Sequence, residues 1–321
     1  MAPAMSLDVL SDVLQAVRLR GAVFYWVDAT PPWVATAPAA QEIAAMVMPG
    51  CEHVMMFHVL SEGECWARLP GGMPERVRGG EVVLFPQGDE HSMASAPNLP
   101  EPAPDLPEHG PGGPPFTLHH GGAGEPTARF VCGFFGCDAR PFNPLLEALP
   151  RLLRVPSAGG PLADLIRLAV SETATPRPGG EALRAHLAEM MFVEAVRGHI
   201  ADLPEGSAGW LGGLRDPHVG RALAALHGRP AEPWTLETLA REAGLSRTPL
   251  HERFAALVGQ PPMHYLARWR MQLAAGRLAQ GGDKVASVAL EVGYESEAAF
   301  NRAFKRMVGV PPATWRRERG A

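Results

Sequence analysis

The chain has 321 residues, 46% apolar and 20% charged, with a net charge of −5. Those proportions predict two or three globular domains and exclude a disordered or low-complexity chain. The sequence has no run of about 18 apolar residues to suggest a transmembrane helix, no secretory signal pattern and too few cysteines for a disulfide framework, so a cytoplasmic protein with reduced thiols and no membrane partner is expected.

Residues 5–20 carry apolar side chains mainly on one helical face and predict a helix. From about Gly21 to Asp138 the pattern changes. Segments 22–27, 53–60, 64–69, 81–85 and 129–135 are rich in β-branched, aromatic and apolar residues bounded by Gly and Pro, so they predict strands of a sandwich or barrel. The Pro/Gly-rich stretch 97–115 suits neither a central strand nor a long helix. His119 and His120 read as a solvated loop pair. Helical periodicity returns at Asn143, with apolar series at 145–153, 162–169 and 183–196. Asp216-Pro217 then signals a helix start, as cap and first-turn proline.

The last eighty or so residues repeat one pattern. Gly244-Leu245-Ser246, Leu250, Phe254, Gly259, Pro261-Pro262 and Tyr265 return as Gly293-Tyr294, Phe300, Phe304, Gly309, Pro311-Pro312 and Trp315, at a period of 49 or 50 residues. Fixed-period similarity marks a repeated supersecondary unit. A short helix, a glycine turn and a second helix with apolar residues four apart predict a helix-turn-helix, whose second helix enters the DNA major groove. With Ser246 and Ser296 as caps and Leu250, Phe254, Phe300 and Phe304 inward, the groove-facing set is Ser246, Arg247, Thr248, His251, Glu252, Ser296, Glu297, Ala298, Asn301 and Arg302. Lys305 and Arg306 lie further along, where phosphate contact is expected. Residues 268–279 predict the helix joining the two units. Residues 231–321 hold 13 Lys+Arg against 9 Asp+Glu, a basic end on an acidic body.

These residues resemble the AraC/XylS family of bacterial transcription regulators over about 215–318. The resemblance implies a seven-helix domain whose two recognition helices enter successive major grooves of double-stranded DNA, joined to a sensing or dimerising N-terminal domain. Glu252 and Glu297 depart from a purely basic surface, since a carboxylate repels phosphate but can accept from cytosine N4. Gly80 to His91 resembles the second cupin motif. Gly50 to Glu62 resembles the first in part, with Met56 in place of its first histidine. The whole is read as α+β: a cupin-like β-barrel domain with an N-terminal helix over 1–140, a helical linker and dimerisation region over 141–210, and an all-α double helix-turn-helix domain over 211–321.

Two readings of the sensor stay open. His58, Glu62 and His91 could ligate a metal such as Fe, Ni, Zn or Mn, or form a metal-free site. Cys51, Cys65, Cys132 and Cys137 could form a redox cluster, or fill the strands as small apolar residues. The stripe through Met190 and Met191 is either a homodimer seam or packing against the barrel. The expected function is a transcription regulator answering a small effector, redox or metal signal, with no cofactor required and RNA polymerase as partner if it activates. The alternative is a metal-dependent cupin enzyme with an accessory helical domain.

Overall fold

The computed structural model describes residues 8–104, 115–157, 159–175 and 177–319. In chain order these form α1 (Val9–Ala16), β1 (Arg20–Thr30), β2 (Val34–Ala37), α2 (Ala40–Val47), β3 (His53–Glu62), β4 (Glu64–Arg68) and β5 (Glu75–Arg78). Next come β6 (Val82–Phe85), β7 (His91–Ala94), β8 (Phe116–Gly121), β9 (Ala128–Cys137), α3 (Pro144–Ala148), β10 (Leu153–Val155), α4 (Gly160–Ala174) and α5 (Gly180–Asp202). The rest is helical: α6 (Trp210–Arg215), α7 (Val219–Gly228), α8 (Leu236–Ala243), α9 (Arg247–Val258), α10 (Pro262–Gln280), α11 (Val285–Glu291), α12 (Glu297–Val308) and α13 (Pro312–Arg319). The proline-rich segment lies partly outside the described residues; its described ends, 97–104 and 115, carry no strand or helix.

The chain divides into two compact units, a sheet unit of 19–137 and 149–201 and a helical unit that takes the N-terminal 18 residues, 138–148 and 202–321. Packing therefore groups the chain differently from segments 1–140, 141–210 and 211–321. In the sheet unit, six strands run in the order β10-β6-β3-β9-β1-β8 and four in the order β2-β7-β4-β5. All pairings are antiparallel except β1 with β8. Tyr25, Val27, Met56, Phe130 and Phe134 of the larger sheet share one core with Cys65, Ala67, Val77 and Met93 of the smaller. The alternation of the strands decides this, since neighbours along a strand point to opposite faces. Phe57 and Phe135 thus lie on the other face, stacked at 4.5 Å, with Phe192 of α5 at 5.0 Å from Phe135. The α5 stripe is accordingly divided: Leu187 and Met191 are buried within the unit, whereas Leu183 and Met190 are exposed.

Two helical expectations are shortened. Of the expected helix over 5–20, residues 5–7 lie outside the described residues; the rest is helical only over α1, where Asp8 accepts from the Ser11 backbone N–H at 3.1 Å, and β1 has begun by Arg20. The series 145–153 is not one helix. It stops at Ala148, ahead of Pro150, which lacks the N–H a helix needs, and Leu153 to Val155 pair with Leu84 to Val82 as an edge strand.

In the helical unit α1 is sewn to its neighbours. Gln272 of α10 donates to the Ala16 carbonyl at 3.0 Å and accepts from the Phe142 N–H at 3.0 Å. Arg18 holds Asp138 through Nε at 2.7 Å. The long α10 packs against α9, α11, α12, α13 and α1, so it forms the spine of the unit.

Candidate nucleic-acid interface and cavity

Each repeat builds one helix-turn-helix. In the first, Thr235 caps α8 by accepting from Thr238 N, while the Thr238 hydroxyl accepts from Thr235 N, a reciprocal box that satisfies two orphan donors. Gly244 closes α8 at φ 72°, in the left-handed region where a side chain is disfavoured. α9 follows, with Leu250 and Phe254 fully buried. In the second, Gly293 makes the turn at φ 85°, and a Cβ there would meet the Ala231 carbonyl oxygen at 2.7 Å. Phe300 and Phe304 of α12 are fully buried with Val288, Val292 and Trp315.

Anchoring those faces inward turns the others out. Ser246, Arg247, Thr248, His251, Glu252, Ser296, Glu297, Ala298, Arg302, Lys305 and Arg306 are all exposed, and Asn301 is half-buried. Ser296 accepts from Ala299 N at 3.2 Å, as expected of a cap. Ser246 holds the cap position of α9 but makes no cap hydrogen bond, which corrects its expected role and leaves its hydroxyl at the surface. Neighbouring cations are neutralised: Arg253 holds Asp216, Arg268 holds Glu147 and Arg229 holds Glu242. Arg247, Arg302, Lys305 and Arg306 form no ion pair among the described residues. These four unpaired cations lie on the outward faces of α9 and α12.

Sequence reasoning missed Arg270, which holds the unit together from within. Its guanidinium donates to the carbonyls of Pro230 at 2.7 Å, Glu232 at 2.8 Å and Gly293 at 3.1 Å. It thereby ties the loop before the first repeat to the turn of the second. Tyr265, in sequence only a repeat position, accepts from Trp210 Nε1 at 2.8 Å and meets His227 Nε2 at 2.7 Å.

The sheet unit holds a partly open cavity of about 360 Å³. Its walls include Tyr25, Val27, Met56, Met93, Leu118 and Phe130. At its polar end His58 and His91 meet Nε2 to Nε2 at 2.7 Å, and His58 Nδ1 meets Cys132 Sγ at 2.9 Å. The His91 Nδ1 to Asp89 carbonyl contact of 2.9 Å fixes the protons. A carbonyl only accepts, so His91 carries its hydrogen on Nδ1 and accepts at Nε2. His58 must then donate from Nε2 and accept at Nδ1 from the Cys132 thiol. Every hydrogen in the chain of groups is spent.

This arrangement overturns the metal triad. His58 and His91 do come together, but their facing nitrogens are used on each other. Glu62 is exposed and paired with Arg129 at 2.8 Å. The reason is a register shift in β3 between Leu60 and Glu62, which breaks the alternation that would have put Glu62 on the face of His58. No group of three or more His, Cys, Asp or Glu suited to a metal occurs among the described residues, so the metal-dependent enzyme reading loses its ligand set. The cysteines are free thiols. Burial pushes Cys65 up to about 12, with Glu81 and Glu64 adding to it, and burial likewise raises Cys132. Both are held as thiols, the opposite of a reactive thiolate. His120, expected in a loop, lies on β8 and lines the cavity; the alternating burial of Phe116, Leu118 and His120 was the available signal.

Burial lowers the pKa of His58, with His91 adding to it, and brings His91 down to about 4 against the opposing Asp89 carbonyl and charge. In the unfolded chain both rings titrate near about 6.5. Below that pH the unfolded state binds more protons, so stability is full above about 6.5 and falls as the pH drops toward about 4. Urea unfolding of the sheet unit, followed at pH 7.5, 6 and 5, is expected to show a falling midpoint, and His91→Gln is expected to flatten it. A midpoint that does not move across that range contradicts the neutral pair.

A sheet unit with an apolar cavity and a helical unit with two outward-facing helix-turn-helix helices define the class: a DNA-binding regulator with a separate sheet-rich N-terminal domain. A family profile described as Cupin matches residues 8–201, and one described as Helix-turn-helix domain matches 239–318. The chain is similar to a "Putative AraC-like transcription regulator" of Streptomyces lividans, 35% identical over 97% of this chain and 98% of the relative. A protein of the same description from Streptomyces antibioticus is 33% identical over 97% and 99%. The "HTH-type transcriptional regulator AlkR" of Acinetobacter baylyi is 28% identical over 97% and 100%. This chain belongs to the AraC family of transcription regulators, with a cupin-type N-terminal domain. Its relatives are named as regulators, which sets the enzyme alternative aside. Among the described residues no helix is long and apolar enough to cross a membrane.

Proposed function

We propose that this AraC-family regulator is controlled by a small, uncharged, mainly apolar effector held in the cavity of the sheet unit. The observation that carries this is the pairing of apolar walls with a polar end whose hydrogens are all engaged. Among the described residues no Lys or Arg lines the cavity, and burial keeps His58 and His91 neutral. An anionic ligand would give up its hydration without finding a cation. An apolar ligand gains roughly 25 cal/mol per Å² of surface removed from water. The protein would act as a cytoplasmic homodimer on double-stranded DNA, contacting RNA polymerase where it activates. Exposed Leu168, Leu183 and Met190 on α4 and α5 support pairing through those helices.

Toluene and acetate serve as probes. Toluene is expected to raise the melting temperature saturably and to change the amount of shifted operator DNA; acetate is expected to do neither. Absence of saturable toluene binding would sink the effector reading without touching DNA recognition. For the latter, Arg302→Ala is expected to weaken operator binding by about 1–3 kcal/mol if the guanidinium reads a base. Lys305→Ala is expected to weaken all sequences evenly and reduce the salt dependence by about one phosphate contact. Equal binding of operator and random DNA by the unaltered protein would refute sequence-specific regulation.

A further inference from the structure

The wall of the sheet-unit cavity changes character along the strands. Phe116 pairs with Tyr25, Tyr25 with Cys132 and Cys132 with His58, so these lie in one row across the larger sheet. That row carries the polar end, where the hydrogens of His58, His91 and Cys132 are already engaged. The next row on the same face is apolar, with Leu118, Val27 and Phe130. Ala29 and His120 follow in the row beyond it. His120 therefore stands about 13 Å along β8 from the level of Phe116.

His120 is the polar side chain that this face leaves unused. Its neighbour His119 is exposed and lies on the other face, where Asp28 is 4.0 Å away. His120 lines the cavity with Leu118. It is half-buried and forms no hydrogen bond or ion pair among the described residues, and its ring nitrogens are not sealed off. Burial lowers its pKa, with His119 adding to it, so the ring is uncharged at neutral pH and offers one N–H and one lone pair. Phe116 and Leu118 are half-buried as well, whereas Val27, Met56 and Phe130 are buried. Among the described residues the cavity thus opens along β8, with His120 at its open side.

We propose that His120 reads the head group of the effector, a single hydroxyl on an otherwise apolar body. The proposal rests on the assignment of this cavity as the effector site and adds the group that is recognised there. A hydroxyl placed beside His58 and His91 finds their ring nitrogens engaged and is left unpaired, at a cost. At His120 it finds a partner whichever ring nitrogen holds the hydrogen, because a hydroxyl both donates and accepts. The body then lies on Leu118, Val27 and Phe130. A wholly apolar ligand covering His120 strips water from the ring and returns no hydrogen bond, which costs affinity.

The test compares propylbenzene with 3-phenyl-1-propanol, which differ by one hydroxyl, on the full chain by calorimetry. The unaltered protein is expected to bind both. His120→Leu is expected to weaken the alcohol about tenfold, the loss of one hydrogen bond, and to leave propylbenzene unchanged or tighter. His120→Gln, which keeps a donor and an acceptor, should retain most of the alcohol affinity. In unaltered protein labelled with ¹⁵N-histidine, the His120 ring signals, assigned through His120→Gln, should shift saturably with the alcohol and far less with propylbenzene. This reading stands even where His120→Leu does not fold. Equal ring shifts from the two ligands, or equal changes in their affinities on His120→Leu, would overturn the head-group proposal and leave the effector cavity standing. Binding of neither ligand to the unaltered protein would overturn both.

Discussion

Phe304→Ala is expected to cost the helical unit about 3–5 kcal/mol, the usual loss for deleting a fully buried aromatic side chain. Phe304 is 0% exposed and lies among Val288, Val292 and Met271, tilted on Phe300 at 5.4 Å and edge-on to Trp315 at 6.1 Å. Alanine would leave a cavity beneath α12 that the surrounding helices can only partly close. Since the inward anchoring of Phe300 and Phe304 turns Arg302 and Lys305 outward, DNA binding should suffer as well. Urea unfolding measures the first effect, and gel shifts with an operator altered in one half measure the second. Selectivity at the half read by α12 should disappear before that at the half read by α9. A loss of stability below about 1 kcal/mol would mean that the second repeat is not packed as described.

Arg270→Met should rank next, at about 2–4 kcal/mol, because three backbone carbonyls lose their donor together. Methionine keeps much of the aliphatic stem, so the loss reports on the guanidinium rather than on volume. Desolvation lowers the pKa of Arg270, but its three acceptors hold the cation in place. Lysine should restore less than half, since an ammonium lacks the planar fork that reaches three carbonyls. The functional consequence is orientation. Arg270 links Pro230 and Glu232, just before the first repeat, to Gly293 in the second. Without it, an operator with both half-sites should lose more affinity than a single half-site does. Full rescue by Arg270→Lys, or equal losses on both DNAs, would contradict this role.

What could be read directly from the chain was local and periodic. Gly244 and Gly293 stand at left-handed turns, and Phe254 and Phe304 stand at the same place in each repeat. Such positions are dictated by backbone geometry and by helical spacing, which neighbours in sequence impose on each other. The strands β3, β6 and β9 were legible for the same reason, being apolar runs with turn residues at their ends. β5, with the sequence Glu75-Arg76-Val77-Arg78, was not. It is a charged edge strand with only Val77 buried, and it is a strand because β4 pairs with it. β10 is not legible as a strand, because Leu152 and Leu153 continue a helical spacing; Val82 to Leu84 supply the partner edge that makes it one.

The residue sequence by itself determined the paired reading helices, their outward polar faces and the kind of domain that precedes them. The two helix-turn-helix units rest on contacts within about fifty residues, where spacing alone carries the information; the domain before them was legible from the residues of its second cupin-like motif, Gly80 to His91. Only the tertiary structure decided the chemistry of the sheet-unit cavity. His58 and Cys132 are 74 residues apart, and His58 and His91 are 33 apart. Which carboxylates and imidazoles share a face depends on strand register, and one irregularity before Glu62 takes its carboxylate away from His58. The placement of α1 with the helical unit likewise depended on Gln272 reaching Ala16 across 256 residues, because which buried polar groups find partners is decided by packing in space and leaves no period in the chain.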